Sequence, residues 1–195
     1  MNVQSLSDKQ LINGYLDGNE KCFEVLLTRH KNKIYTSIYL FVKDHDLAED
    51  IFQEVFIKII DTLRRGKYNH EGKFLQWAMR ISYNLCVDYF RRSKRRTKVS
   101  PSETFDIFDV LEVKDDNMET TIIKDQTYTA IRNLVDKLPP EQREVVILRH
   151  YADMSFKEIA GLTRVSINTA LGRMRYALIN IRKMMEENNV KLYAY

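Results

Sequence analysis

Hydrophobic residues along most of the chain recur every three or four positions, which is the spacing of one face of an α-helix. The first repeat runs from Leu11 to Leu16. Ser7 precedes it as a candidate N-cap, and Gly18 follows it as a candidate stop. Comparable repeats follow over residues 23–41, 46–63 and 73–90. The pattern predicts a succession of amphipathic helices that pack together in the first half of the chain.

The last third of the chain has the spacing of a helix-turn-helix. Pro139-Pro140 separates one amphipathic stretch from the next. Ser155 and Glu158 form a capping box at the start of a short helix. A turn over residues 163–165 then leads to Ser166, which can cap a longer helix. Plain helical bundles also contain short capped helices, so DNA binding is one of two interpretations at this point.

If the motif binds DNA, its second helix lies in the major groove and side chains near the N-terminus of that helix reach base edges. The candidate readers are Asn168, Thr169, Leu171, Gly172, Arg173 and Arg175. The same helix should turn an apolar side towards its own domain, formed by Ile167, Ala170, Met174, Ala177, Leu178 and Ile181.

Composition and the distribution of charge support two helical domains. Only 6 of the 195 residues are Gly and 3 are Pro, while 30% are charged, which favours long helices over strands and turns. Residues 1–98 carry 18 basic and 12 acidic residues, and residues 128–195 carry 11 and 7. Residues 99–127 carry 2 and 8. We therefore predict an all-α protein in which two small domains, residues 1–98 and 128–195, are joined by an acidic linker, residues 99–127.

The linker can be a solvated spacer, or its charge can keep it away from nucleic acid or cover a basic face until something displaces it.

Several classes of protein are excluded by other features. No apolar run approaches the roughly 18 residues of a membrane-spanning helix, and the polar N-terminus does not resemble a secretion signal. Cys22 and Cys86 lie far apart, which indicates neither a disulfide framework nor a zinc site. We expect a cytoplasmic protein without a metal or a cofactor.

The segment from residue 46 to residue 63 predicts a helix with one acidic face. Its apolar residues should point inward, namely Leu47, Ile51, Val55, Phe56 and Ile59. The outer face then carries Asp46, Glu49, Asp50, Gln53 and Glu54. This face is either an ordinary solvated surface or the binding site of a basic protein. A two-metal nuclease would need carboxylates that converge in a concave site, so a single convex face argues against catalysis.

The next predicted helix combines an aromatic stripe with a basic one. Phe74, Trp77, Ile81 and Leu85 recur at helical spacing. A second face carries Lys73, Gln76, Arg80, Asn84 and Arg91, and six of residues 91–98 are basic. With Tyr68 in the preceding loop, this combination suits single-stranded DNA, because basic groups bind phosphates and aromatic rings stack on bases. Taken alone, Trp77 could equally be a core residue and His70 a surface loop residue.

Three segments together resemble the sigma-70 family of bacterial transcription initiation factors, and within it the extracytoplasmic-function (ECF) class. They are AEDIFQEVFIKI, KFLQWAMRISYNLCVDYFRR with the loop before it, and LPPEQREVVILRHYADMSFKEIA with the following SINTALGRMRYAL. The resemblance covers about residues 10–92 and 128–184. It implies a two-domain helical protein that binds RNA polymerase core and directs it to specific promoters.

The resemblance also implies a role for each surface. In this family the acidic helix face binds the clamp helices of the polymerase large subunit, here through Asp46, Glu49, Asp50, Gln53 and Glu54. The loop and helix after it melt the minus-ten element, here through Tyr68, Lys73, Trp77, Arg80, Asn84, Arg91 and Arg92. The last helix reads the minus-thirty-five element as duplex, here through Ser166, Asn168, Thr169, Leu171, Gly172, Arg173 and Arg175. Leu171 and Tyr176 stand where many members have a basic residue.

Two other functions compete with this interpretation. An ordinary helix-turn-helix activator or repressor would bind duplex DNA alone, usually as a dimer on a palindromic site. It would leave the region around Trp77 without a role. A magnesium-dependent nuclease would cleave DNA without any partner. A sigma factor needs no catalytic residue of its own, and in this family it is commonly held inactive by an anti-sigma factor.

Overall fold

The structure is a computed structural model that describes residues 3–69, 72–96 and 133–188. Within these ranges the chain is helical and contains no strand, so the all-α prediction is confirmed. Contacts divide the chain into two compact units, of which the first contains the helices before residue 97 and the second those after residue 139. The predicted acidic linker lies outside the described residues, and the predicted domain boundaries remain a prediction.

The first unit contains a short 3-10 turn and four α-helices. The turn, Val3–Ser5, precedes α1 (Asp8–Leu16), α2 (Glu20–Val42), α3 (His45–Arg64) and α4 (Phe74–Arg96). Helix α2 contacts each of the other three helices, and α3 and α4 also contact each other. The buried residues of α2 therefore occupy more than one face of that helix and include Leu26, Ile34, Ile38, Leu40 and Phe41.

Local capping sets the helix starts in the first unit. Ser7 caps α1 in a capping box, in which the Ser7 backbone N–H donates to Oε1 of Gln10 at 2.9 Å. Asp44 caps α3 by accepting a hydrogen bond from the Leu47 backbone N–H at 2.9 Å. Both caps lie where the sequence predicts a helix to begin.

The predicted inner face of α3 is buried except at one position, and α4 buries residues that lie beside its aromatic stripe. Ile51, Val55, Phe56 and Ile59 are buried, and only Leu47 is partly exposed. In α4 the aromatic stripe runs beside the core, because Phe74 is buried whereas Trp77, Ile81 and Leu85 lie at the rim of the core. Helix α4 packs against both α2 and α3. The residues that it buries there are Leu75, Ala78, Met79, Ser82, Tyr83, Cys86, Val87 and Phe90.

The second unit contains three α-helices after a helical stretch over residues 133–136. They are α5 (Pro140–His150), α6 (Phe156–Thr163) and α7 (Ile167–Glu187). The predicted capping box forms, since the Ser155 backbone N–H donates to Oε2 of Glu158 at 2.8 Å. Arg164 ends α6 in the left-handed conformation, with φ of 59°, and Ser166 caps α7. This is the predicted helix-turn-helix.

Helix α7 presents a broader apolar side than its own unit covers. Ala170 and Ala177 are buried, and Met174 and Ile181 are partly buried. Ile167 and Leu178 were expected on the inner side, but both are exposed. Helices α5 and α6 contact the side of α7 that carries the two buried alanines, and Ile167 and Leu178 lie beyond it. No helix in the described ranges is long and apolar enough to cross a membrane.

Candidate protein and nucleic-acid interfaces

The acidic face of α3 is exposed as predicted. Asp46, Glu49, Asp50, Gln53 and Glu54 all lie on the solvent side of the helix. Neighbours on the same helix approach two of them, with His45 Nδ1 3.7 Å from Oε1 of Glu49 and Lys58 Nζ 3.3 Å from Oε1 of Glu54. These exposed pairs weaken the negative field only at the edges of the face, since surface ion pairs are screened by solvent.

Ile57 is the residue of this face that sequence reasoning missed. Its side chain is 65% exposed, the highest value among the exposed large hydrophobic residues that the structure describes. Ile57 follows Asp46, Asp50 and Gln53 at helical spacing, so all four lie in one stripe along α3. In the sequence it stands in the apolar run VFIKII, which suggests a core residue, and only the packing shows that it faces solvent.

Three aromatic rings cluster where the loop after α3 meets the start of α4. The ring centroids of Tyr68 and Trp77 are 4.4 Å apart, and those of Phe74 and Trp77 are 5.8 Å apart. Phe74 is buried, whereas Tyr68 and Trp77 are partly exposed. Phe74 therefore supports the cluster from inside the unit, and Tyr68 and Trp77 present aromatic surface to solvent.

The polar residues predicted to accompany this cluster lie along the outside of α4. Lys73, Arg80, Asn84 and Arg91 follow one face at helical spacing together with Trp77, and all four are exposed. Arg92 is exposed as well. Asp88 lies 3.9 Å from the Arg91 guanidinium, which offsets part of the positive charge near the end of this face. Asn84 supplies an amide that can both donate and accept hydrogen bonds. His70 lies outside the described residues.

A partly buried polar group, formed by Asp8, Arg29 and His30, lies behind the aromatic cluster. Oδ1 of Asp8 accepts a hydrogen bond from Nη1 of Arg29 at 2.6 Å. Oδ2 of the same carboxylate lies 2.9 Å from Nε2 of His30. The His30 ring packs 5.4 Å from the Phe74 ring, between centroids. Burial lowers the pKa of His30, and the nearby Asp8 carboxylate opposes that shift. Sequence reasoning missed this contact because its partners come from different helices.

The start of α7 gathers most of the residues predicted to read duplex DNA. Oγ of Ser166 accepts a hydrogen bond from the Thr169 backbone N–H at 3.0 Å, which fixes the first turn. Asn168, Leu171 and Arg175 are exposed, as are Ser166 and Thr169, and a Cβ added at Gly172 would meet no atom within 4 Å. This end of the helix is therefore accessible to a large ligand.

Arg173 differs from its neighbours on α7. Only 25% of its side chain is exposed, and its Nη1 lies 3.5 Å from Oε2 of Glu144 on α5. The structure thus places six of the seven predicted readers on the accessible side of α7 and directs Arg173 towards the interior of the unit. Among the described residues, no cluster of His, Cys, Asp and Glu could hold a metal ion.

The order of these surfaces along the chain matches two family models. The Sigma-70 region 2 model matches residues 26–96, which include α3 and α4. The Sigma-70 region 4 model matches residues 128–175, which include α5, α6 and the first turns of α7. Together they cover more than half of the chain.

Full-length relatives agree with the family models. RNA polymerase sigma-H factor of Pseudomonas aeruginosa is 26% identical over 183 residues, which are 92% of this chain and 94% of that protein. The ECF RNA polymerase sigma-E factor of Haemophilus influenzae is 24% identical over 189 residues, 94% and 96% of the two chains.

Among solved structures, the fold is similar to that of the sigma factor RpoE of Bartonella quintana, in a co-crystal with the anti-sigma factor NepR. The TM-score is 0.64 at 17% identity, over 85% of this chain and 98% of that one. The chain therefore belongs to the ECF class of the sigma-70 family and is an RNA polymerase sigma factor that directs promoter-specific initiation of transcription.

Proposed function

We propose that three separate surfaces of this sigma factor carry out polymerase binding, promoter melting and duplex recognition. The acidic face of α3, together with Ile57 one turn beyond Gln53, binds the clamp helices of the polymerase large subunit. Its carboxylates attract a basic partner over a distance, and an exposed isoleucine within such a face supplies apolar area for a buried contact.

The aromatic cluster and the polar face of α4 bind the minus-ten element after its strands separate. The observation that carries this assignment is the contact between the partly exposed Tyr68 and Trp77 rings at the head of the face. Flat rings can stack on an unpaired base, and Asn84 can hydrogen-bond to the edge of a flipped base. The residues that bind phosphates along this face are Lys73, Arg80, Arg91 and Arg92.

The first turns of α7 read the minus-thirty-five element as duplex in the major groove. Asn168 and Arg175 provide the hydrogen-bonding groups that suit adenine and guanine, and Leu171 provides an apolar contact that suits a thymine methyl group. Ser166, Thr169 and Gly172 allow the helix end to approach the backbone closely, because small side chains leave room for the phosphates.

The chain contributes recognition and no chemical step of its own. Phosphodiester bond formation belongs to the polymerase, and the proposed surfaces bind protein or nucleic acid on convex helix faces. We place its action in the cytoplasm, where bacterial polymerase works. We expect a protein of the anti-sigma type to regulate this chain, since the structurally similar RpoE of Bartonella quintana was solved in a complex with one.

Two substitutions in α4 separate opening from duplex binding. Trp77→Ala and Asn84→Ala should slow open-complex formation at least about tenfold, because stacking and base capture act only on separated strands. Binding of the holoenzyme to fully duplex promoter DNA should change by less than about twofold. Both variants should recover activity on a template whose minus-ten region is already unpaired by mismatches.

A matched control lies on the same helix, where Tyr89 is exposed but outside the Trp77 face. Tyr89→Ala should leave both steps unchanged. Permanganate reactivity of thymines measures opening, and gel mobility measures duplex binding. An equal loss of both steps in Trp77→Ala would contradict this division of labour.

A further inference from the structure

Two polar contacts join α5 and α7 inside the second unit. The Glu144 carboxylate lies 3.5 Å from the Arg173 guanidinium. Two turns further along α7, the Asn180 side-chain amide donates a hydrogen bond to Oε1 of Gln142 at 2.8 Å. Gln142 and Glu144 both belong to α5. The two helices are therefore linked by polar contacts at two levels as well as by apolar packing.

Of these side chains, Glu144 carries a negative charge and is almost completely buried, with 8% of its side chain exposed. A carboxylate removed from water to this extent is costly unless it is paired with a positive charge and hydrogen-bonded. Its neighbour on α5, Arg143, is also buried, but the Arg143 guanidinium donates to the Asp136 backbone carbonyl at 3.1 Å. Arg173 is thus the cation that α7 supplies to Glu144.

The position of Arg173 on α7 is consistent with this interior role. It lies three residues after Ala170 and four before Ala177, and both alanines are fully buried against the unit's core. Leu171 and Arg175 lie two residues to either side and are exposed. A helix turns about 200° over two residues, so these two side chains point away from the face that carries Arg173.

We propose that Arg173 is a positioning residue rather than a reader of DNA. Its guanidinium compensates the charge of the buried Glu144 carboxylate, so that α7 can pack on α5 in the rotation that presents Asn168, Leu171 and Arg175 to the major groove. The inference rests on the proposed role of α7 in reading the minus-thirty-five element. If Arg173 is a positioning residue, the exposed residues of α7 carry the preference for particular bases. When Glu144 is made neutral, replacing Arg173 should then leave that preference unchanged.

A double-mutant cycle in the holoenzyme distinguishes a positioning role from direct contact. The variants are Arg173→Met, Glu144→Gln and the pair together, and the probe is a duplex selected by the wild-type holoenzyme from a random library. Affinity is measured at several salt concentrations. Arg173→Met should weaken binding about tenfold or more, because it removes the positive charge that α7 places beside the buried Glu144 carboxylate. The double variant should recover to within about threefold of wild type with an unchanged salt dependence.

Direct contact predicts a different result. If Arg173 binds phosphate or a base edge, the double variant binds as weakly as Arg173→Met, and the slope of log K against log salt falls by about one. That result, or an Arg173→Met variant that binds like wild type, would overturn the inference. Should Arg173→Met unfold, the double variant still decides the question through its affinity and its salt slope.

Arg175→Ala serves as the matched control on the exposed side of the same helix. It should weaken binding and lower the salt slope by about one whether or not Glu144 is replaced. If Arg175→Ala and Asn168→Ala both leave affinity and base preference unchanged, α7 does not read the upstream element and the proposed function fails. That failure is distinct from a failure of the positioning role, in which these two variants still weaken binding.

Discussion

His30 connects three parts of the first unit through one side chain. Its Nε2 lies 2.9 Å from Asp8 near the start of α1, and its ring packs against Phe74 at the start of α4. Phe74 in turn contacts Tyr68 and Trp77. The side chains proposed to stack on melted DNA therefore rest on a residue that can change its charge near neutral pH.

Stability of the first unit should fall on mild acidification because of His30. Burial lowers its pKa in the folded state, so the unfolded chain binds the proton more readily. The stabilisation that the folded state gains by keeping His30 neutral is complete above about pH 6.5, the ordinary pKa of histidine. It is lost progressively as the pH falls below that value. Between pH 7 and 5.5 the loss should be a fraction of the roughly 1.4 kcal/mol that complete exclusion of the proton would give.

Urea unfolding followed by Trp77 fluorescence measures this dependence, since Trp77 is the single tryptophan of the chain and lies in the first unit. His30→Gln should flatten the change between pH 7 and 5.5. His45→Gln, which replaces an exposed histidine of α3, should leave it as in wild type. A His30→Gln variant with the full wild-type pH dependence would rule out this role.

Single residues were predictable where the reason for them is local. Ser155 and Ser166 cap helices through neighbours three residues away, and a pattern of that length can be recognised in a sequence. The contacts of Asp8 with His30 and of Glu144 with Arg173 join different helices. Their partners become known only when helix packing is known, so the contact between Arg173 and Glu144 could not be predicted from the sequence.

At the scale of elements, α1 and α2 approach each other closely at one point. A Cβ built on Gly14 would lie 2.6 Å from Sγ of the buried Cys22, well inside van der Waals contact. Because both atoms are enclosed by the crossing, a methyl group there forces the helices or the thiol to move.

Burial also raises the pKa of the other cysteine, Cys86, so its thiol stays protonated and unreactive.

Gly14→Ala should therefore destabilise the first unit. The expected loss is about 1–3 kcal/mol from overpacking, reduced by up to about 1 kcal/mol because alanine favours a helix. Adding Cys22→Ala removes the atom that the new methyl group meets, so the double variant should be more stable than Gly14→Ala alone. Urea unfolding followed by Trp77 fluorescence measures both.

Gly161→Ala is the control for the effect of alanine itself. Gly161 lies in α6, and a Cβ there would meet no atom within 4 Å. This variant should be as stable as wild type or up to about 1 kcal/mol more stable by circular dichroism. A Gly14→Ala variant that also gains stability would show that the crossing is not tight.

Helix α3 permits a test of the proposed polymerase interface at Ile57. Ile57→Ala should weaken binding to RNA polymerase core about five- to tenfold, because the partner would bury this exposed apolar side chain and the truncation removes most of that favourable burial. Stability of the free protein should change by less than about 0.5 kcal/mol, since the side chain is exposed. Competition for core against a labelled wild-type chain measures the affinity.

Leu16→Ala is the matched control, because Leu16 is an exposed leucine on α1 and is not part of the acidic face of α3. It should compete for core as well as wild type. If both substitutions weaken binding equally, the effect of Ile57→Ala does not arise from a localised interface on α3.

The type and order of the helices could be predicted because each is amphipathic over several turns and capped by local residues. Which part of an apolar face becomes buried could not. Helix α4 packs against two neighbours, so its core face lies beside the stripe of Trp77, Ile81 and Leu85 rather than along it. Ile57 and Leu178 stand in apolar runs yet face solvent. Periodicity alone does not tell how many helices will cover a face.

At the scale of the whole molecule, the charges of the chain are arranged by segment. Residues 1–98 and 128–195 are net basic, and residues 99–127 between them are net acidic. Two modules that each bind DNA weakly gain affinity when they are joined, because binding of the first raises the effective concentration of the second. We therefore expect the free protein to bind promoter DNA weakly and the holoenzyme to bind it firmly, with a steep dependence on salt.

The most direct test of this account is run-off transcription with bacterial core polymerase on fragmented DNA from the source genome. Core alone is compared with core plus this protein, and the transcript starts are mapped. The account predicts new, discrete starts that share two upstream sequence elements. If the protein adds no starts to core and alone protects a duplex site, the chain acts as a conventional helix-turn-helix regulator and the account is wrong.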